Sequence, residues 1–342
     1  MINLRFHLVS LVAVFLALGL GVTMGASFVN RATVDTLRDR VDAVENSYKD
    51  RGALLDTLSK QLQQVDGSAE TLVGAQSPVL PGRLSGRPVV LVVPDGVPGG
   101  SLAAAEQALA TANAVRPGTI RLTTALAMKD EALVAKVKSK FGLKGGSAAE
   151  LQDAVLAELG DALATLSAPV AGSTGGVTRP GGPSPDLTQV AAARQQLRDL
   201  ADLGLVKLDT SGATAGAALP DVVGATYLMV VSTEVDAAAD EAVVTLAEDV
   251  AQAAPSTVTV GELAPARDKG GVPSSTTVPD ASLLGTLRSD DELASRLSTV
   301  DDLEEAFGRL AMVLALQQEG TGTVGHYGNG PGATAPFPLT GR

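Results

Sequence analysis

The alternation of apolar and polar positions divides the chain into three regimes. Residues 6–30 contain no Asp, Glu, Lys or Arg, and their core LVSLVAVFLALGLGVTMGASFV is apolar or small throughout. That is long enough to cross a hydrocarbon layer of about 30 Å. From Val34 to Leu72 the apolar residues instead recur at alternating steps of three and four. Val34, Leu37, Val41, Val44, Tyr48, Arg51, Leu55, Leu58, Leu62, Val65, Ala69 and Leu72 read as successive a and d positions, which predicts a coiled coil over residues 31–73. Gly74, Pro78, Pro81, Gly82 and Gly86 mark a linker at 74–86. Beyond it, short β-rich runs alternate with helical ones. Strands are expected at 87–93, 119–123, 205–208, 225–232 and 257–261, and helices at 101–115, 129–141, 147–166, 187–203, 235–254 and 302–317. That order predicts one α/β domain over 87–318, doubly wound around a mainly parallel, Rossmann-like sheet. A Gly/Pro-rich loop at 167–187 and another such stretch at 264–279 interrupt it, and 319–342 forms a Gly/Pro-rich tail.

The first two regimes imply self-association. A heptad seam buries itself only against another helix, and Val at a with Leu at later core positions suits a parallel two-stranded coil. Arg40 at g then faces Glu45 at e of the other copy. At 1.5 Å per residue the helix would extend roughly 55 to 60 Å, with a polar break at Arg51 and Gly52. A long amphipathic helix folded back on its own domain is the competing reading. Gly21 and Gly25 form a GxxxG pair in the apolar segment, a spacing that lets two membrane helices cross closely. Gly21, Gly25, Val34, Leu37, Val41, Val44, Leu55, Leu58, Leu62 and Val65 are therefore the expected dimerisation residues. Arg5 before the segment, and Gly25, Ala26 and Ser27 at its end, would also suit a cleaved signal, but the apolar stretch exceeds the usual h-region of about 7–15 residues, which favours an uncleaved signal anchor over residues 1–30. Flanking charges leave its orientation open: Arg31, Arg38 and Arg40 follow it, and a domain this long translocates regardless of them.

Composition narrows the function. With 342 residues and 45% hydrophobic content the chain can bury a sizeable core. A formal charge of −12 disfavours nucleic-acid partners, and 3% aromatic residues without Trp leave few stacking platforms. The absence of Cys removes disulfides, thiolate metal sites and Cys nucleophiles. The turn from Asp95 to Ser101 matches neither GxGxxG nor a Walker sequence and reads as an ordinary βα turn. Asp301, Asp302, Glu304 and Glu305 open a helical run, where Asp301 and Glu304 are expected as cap and N3 partner. His326 in GHYG, with the thioethers of Met24, Met128, Met229 and Met312, could serve Cu(I) only if folding gathered them; core packing is the plainer role for the Met residues. No Ser, His and Asp arrangement has a motif context, so an enzyme is disfavoured.

Two stretches carry a family resemblance. INLRFHLVSLVAVFLALGLGVTMGASF, residues 2–28, and STVDDLEEAFGRLAMVLALQQEGTGTVGHYG, residues 298–328, resemble the two ends of the actinobacterial copper transporter family typified by the mycobacterial copper transport protein B. The coil, the VVLVVPDG strand and the Gly/Pro-rich breaks follow the same order. The resemblance implies a single-pass protein of the plasma membrane, with its N-terminus in the cytoplasm, its α/β domain in the cell envelope, and a role in copper efflux or homeostasis. Copper would be a transported or sensed species, with no resident cofactor. Some family members resemble a second description, a non-enzymatic dimeric scaffold that binds a partner protein in cell separation and envelope remodelling. One helix per chain cannot enclose a pore by itself, and the strand runs lack the alternating segments of about ten residues of an outer-membrane barrel.

Overall fold

Strand β1, Val89–Pro94, is buried along its whole length, and its side chains divide between two cores. Val90 and Val92 enter one, while Val89, Leu91 and Val93 enter the other. The same division holds in β4, Thr226–Ser232, where Tyr227, Met229 and Val231 oppose Leu228 and Val230. Continuous apolar runs of this kind belong to strands covered on both faces. The computed structural model describes residues 6–25, 71, 73–74, 77–143, 146–168, 185–211, 213, 218–232, 235–263 and 283–338. It divides into two units, 1–64 and 65–342.

In the first unit, helix α1, Phe6–Gly25, has the length and hydropathy of a membrane span, and none of its apolar stretch is buried within the protein. A Cβ added at Gly21 or Gly25 would meet nothing within 4 Å. The coil residues Val34, Leu37, Val41, Val44, Leu55, Leu58, Leu62 and Val65 lie outside the described residues.

The second unit is a mixed α/β domain. Its seven-stranded sheet has the order β3-β2-β1-β4-β5-β6-β7. The remaining strands are β2 (Thr119–Leu122), β3 (Val206–Asp209), β5 (Val258–Leu263), β6 (Ser298–Val300) and β7 (His326–Tyr327). All pairings are parallel except β2 with the edge strand β3. Helices α4 (Ala148–Ser167), α5 (Leu187–Asp202) and α6 (Ala237–Ala253) close the first core, with α3 (Glu131–Phe141) beside them. Helices α2 (Gly99–Thr111) and α9 (Ala306–Glu319) close the second. Two of the long helices begin in full capping boxes, Ser147 with Glu150 and Asp186 with Gln189, each of which satisfies two orphan backbone donors.

The C-terminal third departs from the sequence expectation. The last helix starts at Ala306, not at 302, and its N-cap Glu305 makes no side-chain cap bond. Two short helices, α7 (Leu283–Ser289) and α8 (Asp291–Ala294), and the strands β6 and β7 were not foreseen. Residues 319–342 thus contribute an edge strand, and Phe337 packs against the second core. Strands of two and three residues are too short to show a period-2 pattern. The chain passes from β4 through α6 to β5 and from β6 through α9 to β7 while stepping the same way across the sheet, yet α6 and α9 lie on opposite faces. The β6–α9–β7 crossover therefore has the opposite hand to β4–α6–β5, an uncommon arrangement for parallel strands.

Candidate functional site

Two places in the domain concentrate polar chemistry. The first is the point between β1 and β4 where the sheet reverses its direction of growth, the usual position of a ligand crevice in an open α/β sheet. The loop after β1 carries Asp95, whose carboxylate meets Lys207 Nζ of β3 at 2.8 Å. Gly96 (φ +105) follows, and a Cβ there would stand 3.9 Å from Val235 Cγ1, so the two loops approach across the crevice. Next to it Asp240, on the first turn of α6, is buried and accepts the Ser232 backbone N–H at 2.9 Å. Burial pushes its carboxyl up to about 6; the bond from Ser232 opposes that shift and the charge of Glu262 adds to it. The N-cap of α2, Pro98, offers no side-chain acceptor, and no acidic residue stands in that helix's first turn.

The second place is a buried network at the β6–β7 edge. Arg288 at the end of α7 sends Nη2 to Asp301 Oδ1 at 2.8 Å and Nη1 to Asp301 Oδ2 at 3.3 Å. Its Nε donates to Thr299 Oγ1 at 2.7 Å, and the remaining donors reach the Tyr327 and Pro331 carbonyls. Asp301 also accepts the Gly330 N–H at 2.6 Å. A Cβ at Gly328 (φ +125) would collide with the Asp301 carboxylate, so glycine is required there both for space and for backbone conformation.

His326 completes this network through both ring nitrogens. Its Nε2 lies 3.0 Å from the Ala294 carbonyl, which can only accept, so Nε2 carries the proton. Its Nδ1 lies 2.9 Å from Thr299 Oγ1, whose hydroxyl donates to it while accepting from Arg288. Burial holds the imidazole below its ordinary value, and the charge of Arg288 lowers it further against the raising effect of the Ala294 bond. In this arrangement the lone pair of the neutral ring is engaged by the Thr299 hydroxyl. Met128 and Met229 lie in the first core and Met312 in the second, all buried, whereas Met24 is exposed on α1. The fold therefore does not gather His326 with the Met residues. Among the described residues, no group of three or more His, Cys, Asp or Glu side chains is placed to hold a metal ion.

The expected cap role of Asp301 is replaced by its ion pair with Arg288. Arg288, the centre of the network, was not singled out by the sequence; it follows the Gly/Pro/Ser stretch and has no local motif.

Among the described residues, one helix has the length and hydropathy of a membrane span, and the same chain carries a mixed α/β domain. The family described as "Copper transport outer membrane protein, MctB" matches residues 1–338. Proteins called "Copper transporter MctB" from Mycobacterium bovis and Mycobacterium tuberculosis are each 30% identical over 340 residues, 97% of this chain and 98% of theirs. The chain belongs to the MctB family.

Proposed function

We propose that this protein acts in copper efflux or homeostasis as a single-pass protein of the plasma membrane, its N-terminus in the cytoplasm and its α/β domain in the cell envelope. The observation that carries the reading is the family correspondence along nearly the whole chain, together with the apolar helix Phe6–Gly25. The domain is read as non-enzymatic, raised on a parallel coil over 31–73 that pairs two copies. Copper is cargo or signal in this reading. Because the Nδ1 lone pair of His326 is engaged by Thr299 and Met128, Met229 and Met312 serve the cores, its handling falls to the assembled protein or a partner, outside a His/Met centre in the described domain. Cellular copper, measured in a deletion strain grown under copper load, is expected to rise and to return to normal when the full chain is restored but not when residues 1–30 are removed. Unchanged copper in the deletion strain would overturn the proposal.

A further inference from the structure

Five of the chain's nine lysines fall within residues 129–144, in a protein of net charge −12. Lys129 precedes α3, and Lys136, Lys138 and Lys140 lie on it. Lys138 and Lys140 occupy the last turn, where cations complement the helix dipole. That does not account for Lys129 and Lys136, which are exposed. Lys140 meets Asp199 at 2.8 Å. The helix buries only Val137, so most of its outer surface is available.

A surface of the opposite sign lies on the same domain. Gly160 of α4 allows α6 to approach so closely that a Cβ there would stand 2.8 Å from Asp249 Cβ. Asp249 is thereby set among the α4 carboxylates Asp153 and Asp161, and burial and their charges raise its proton affinity. Glu248 beside it is raised in the same way, by burial and by the charges of Asp249 and Asp290. A ridge of mutually repelling carboxylates is relieved by an approaching cationic surface.

We propose that α3 of one copy docks, through Lys129, Lys136 and Lys138, on the α4–α6 ridge of a second copy, against Asp153, Asp161 and Asp249. The contact joins domain to domain, is separate from pairing through the coil, and stands whether or not the copper role holds. Complementary patches of this kind contribute orientation and specificity, and weaken with salt. Any tether that already pairs two copies raises the effective concentration at which they meet.

The test uses the full chain in detergent, as an equal mixture of isotopically light and heavy protein held until subunits have exchanged between pairs and then treated with a zero-length carbodiimide crosslinker. Light–heavy crosslinks joining Lys129 or Lys136 to Asp153, Asp161 or Asp249 are expected. They should fall severalfold when the ionic strength is raised to about 1 M, where the Debye length is about 3 Å. The double variant Lys129→Glu/Lys136→Glu, at exposed positions that should leave the circular dichroism unchanged, keeps the Lys138 amine, and its Lys138 crosslinks to the same carboxylates are expected to fall severalfold. Mixing it with Asp153→Lys/Asp161→Lys should restore light–heavy crosslinking. Crosslinks confined to light–light and heavy–heavy pairs, or indifferent to charge reversal, would overturn the proposal. So would a lysine-dependent binding to phosphatidylglycerol vesicles without mixed crosslinks, since the surface would then read lipid.

Discussion

Arg288 and Asp301 form an ion pair at 2.8 Å with side chains 1% and 7% exposed, and through it α7, β6 and the segment after β7 are held together. Removing one member of such a pair strands a buried charge, at a cost of about 3–5 kcal/mol. Arg288→Met and Asp301→Ala are each expected to lower the denaturant midpoint by that equivalent. Replacing both together, Arg288→Met with Asp301→Leu, should recover a large part of the loss, since an apolar pair leaves no unpaired charge. Urea unfolding of the three variants checks this; a double variant less stable than either single one would refute it.

His326 gives a prediction that separates structure from copper chemistry. With Nε2 donating to Ala294 and Nδ1 accepting from Thr299, truncation to Ala leaves a buried carbonyl and hydroxyl short of partners. His326→Ala is expected to destabilise the domain by about 1–3 kcal/mol, while Cu(I) titration of the purified chain gives the wild-type affinity. Met229→Leu, a swap of similar volume in the first core, should cost under about 1.5 kcal/mol and likewise leave copper binding unchanged. A tenfold loss of copper affinity in either variant would contradict this assignment.

What the sequence revealed, and what it hid, divides along physical lines. The VVLVV and YLMVV runs declare themselves as strands because both faces are buried, and every side chain must be apolar whichever core it enters. Asp301 misleads because a carboxylate ahead of a helical run is also a good cap, and nothing local shows that Arg288, thirteen residues earlier, has claimed it. β6 and β7 are hidden for a different reason. Each is held by its neighbour and by the Arg288 network and carries no periodic pattern of its own. The family resemblance over residues 298–328 spans both strands and α9, so those residues were recognisable before their geometry was.

Asp240 makes stability depend on pH. Its folded value of about 6 lies above the ordinary Asp value of about 4. An acid raised in the folded state favours folding most when protonated, so its contribution is complete below about pH 4 and lost as pH rises through about 6. Asn at this position can still accept the Ser232 N–H through its amide oxygen and carries no charge. The stability of Asp240→Asn relative to wild type is expected to climb by up to about 3 kcal/mol between pH 4 and pH 7. Glu248 and Asp249 are raised in the same direction, and the comparison of variant with parent cancels their common contribution. Parallel pH profiles for the two proteins would show that Asp240 is not the group responsible.

The α4–α6 crossing supplies the last prediction. Gly160 faces Asp249 so closely that a Cβ would stand 2.8 Å from the Asp249 Cβ, a separation that real Cβ atoms essentially never show. Because the obstruction is a Cβ near the α6 backbone, rotation of the carboxylate cannot relieve it. Gly160→Ala is expected to cost about 1–3 kcal/mol, the scale of overpacking in a close-packed interior. Asp249→Ala in the same background keeps the colliding Cβ and should not rescue it by way of packing. Asp249→Gly removes that atom, so Gly160→Ala should be better tolerated with Asp249→Gly than alone. A double-mutant cycle therefore gives a favourable coupling for the Ala/Gly pair, measured against each single variant by urea unfolding. A coupling near zero would place the two helices farther apart than the structure does, and would remove the close approach that sets Asp249 among the α4 carboxylates.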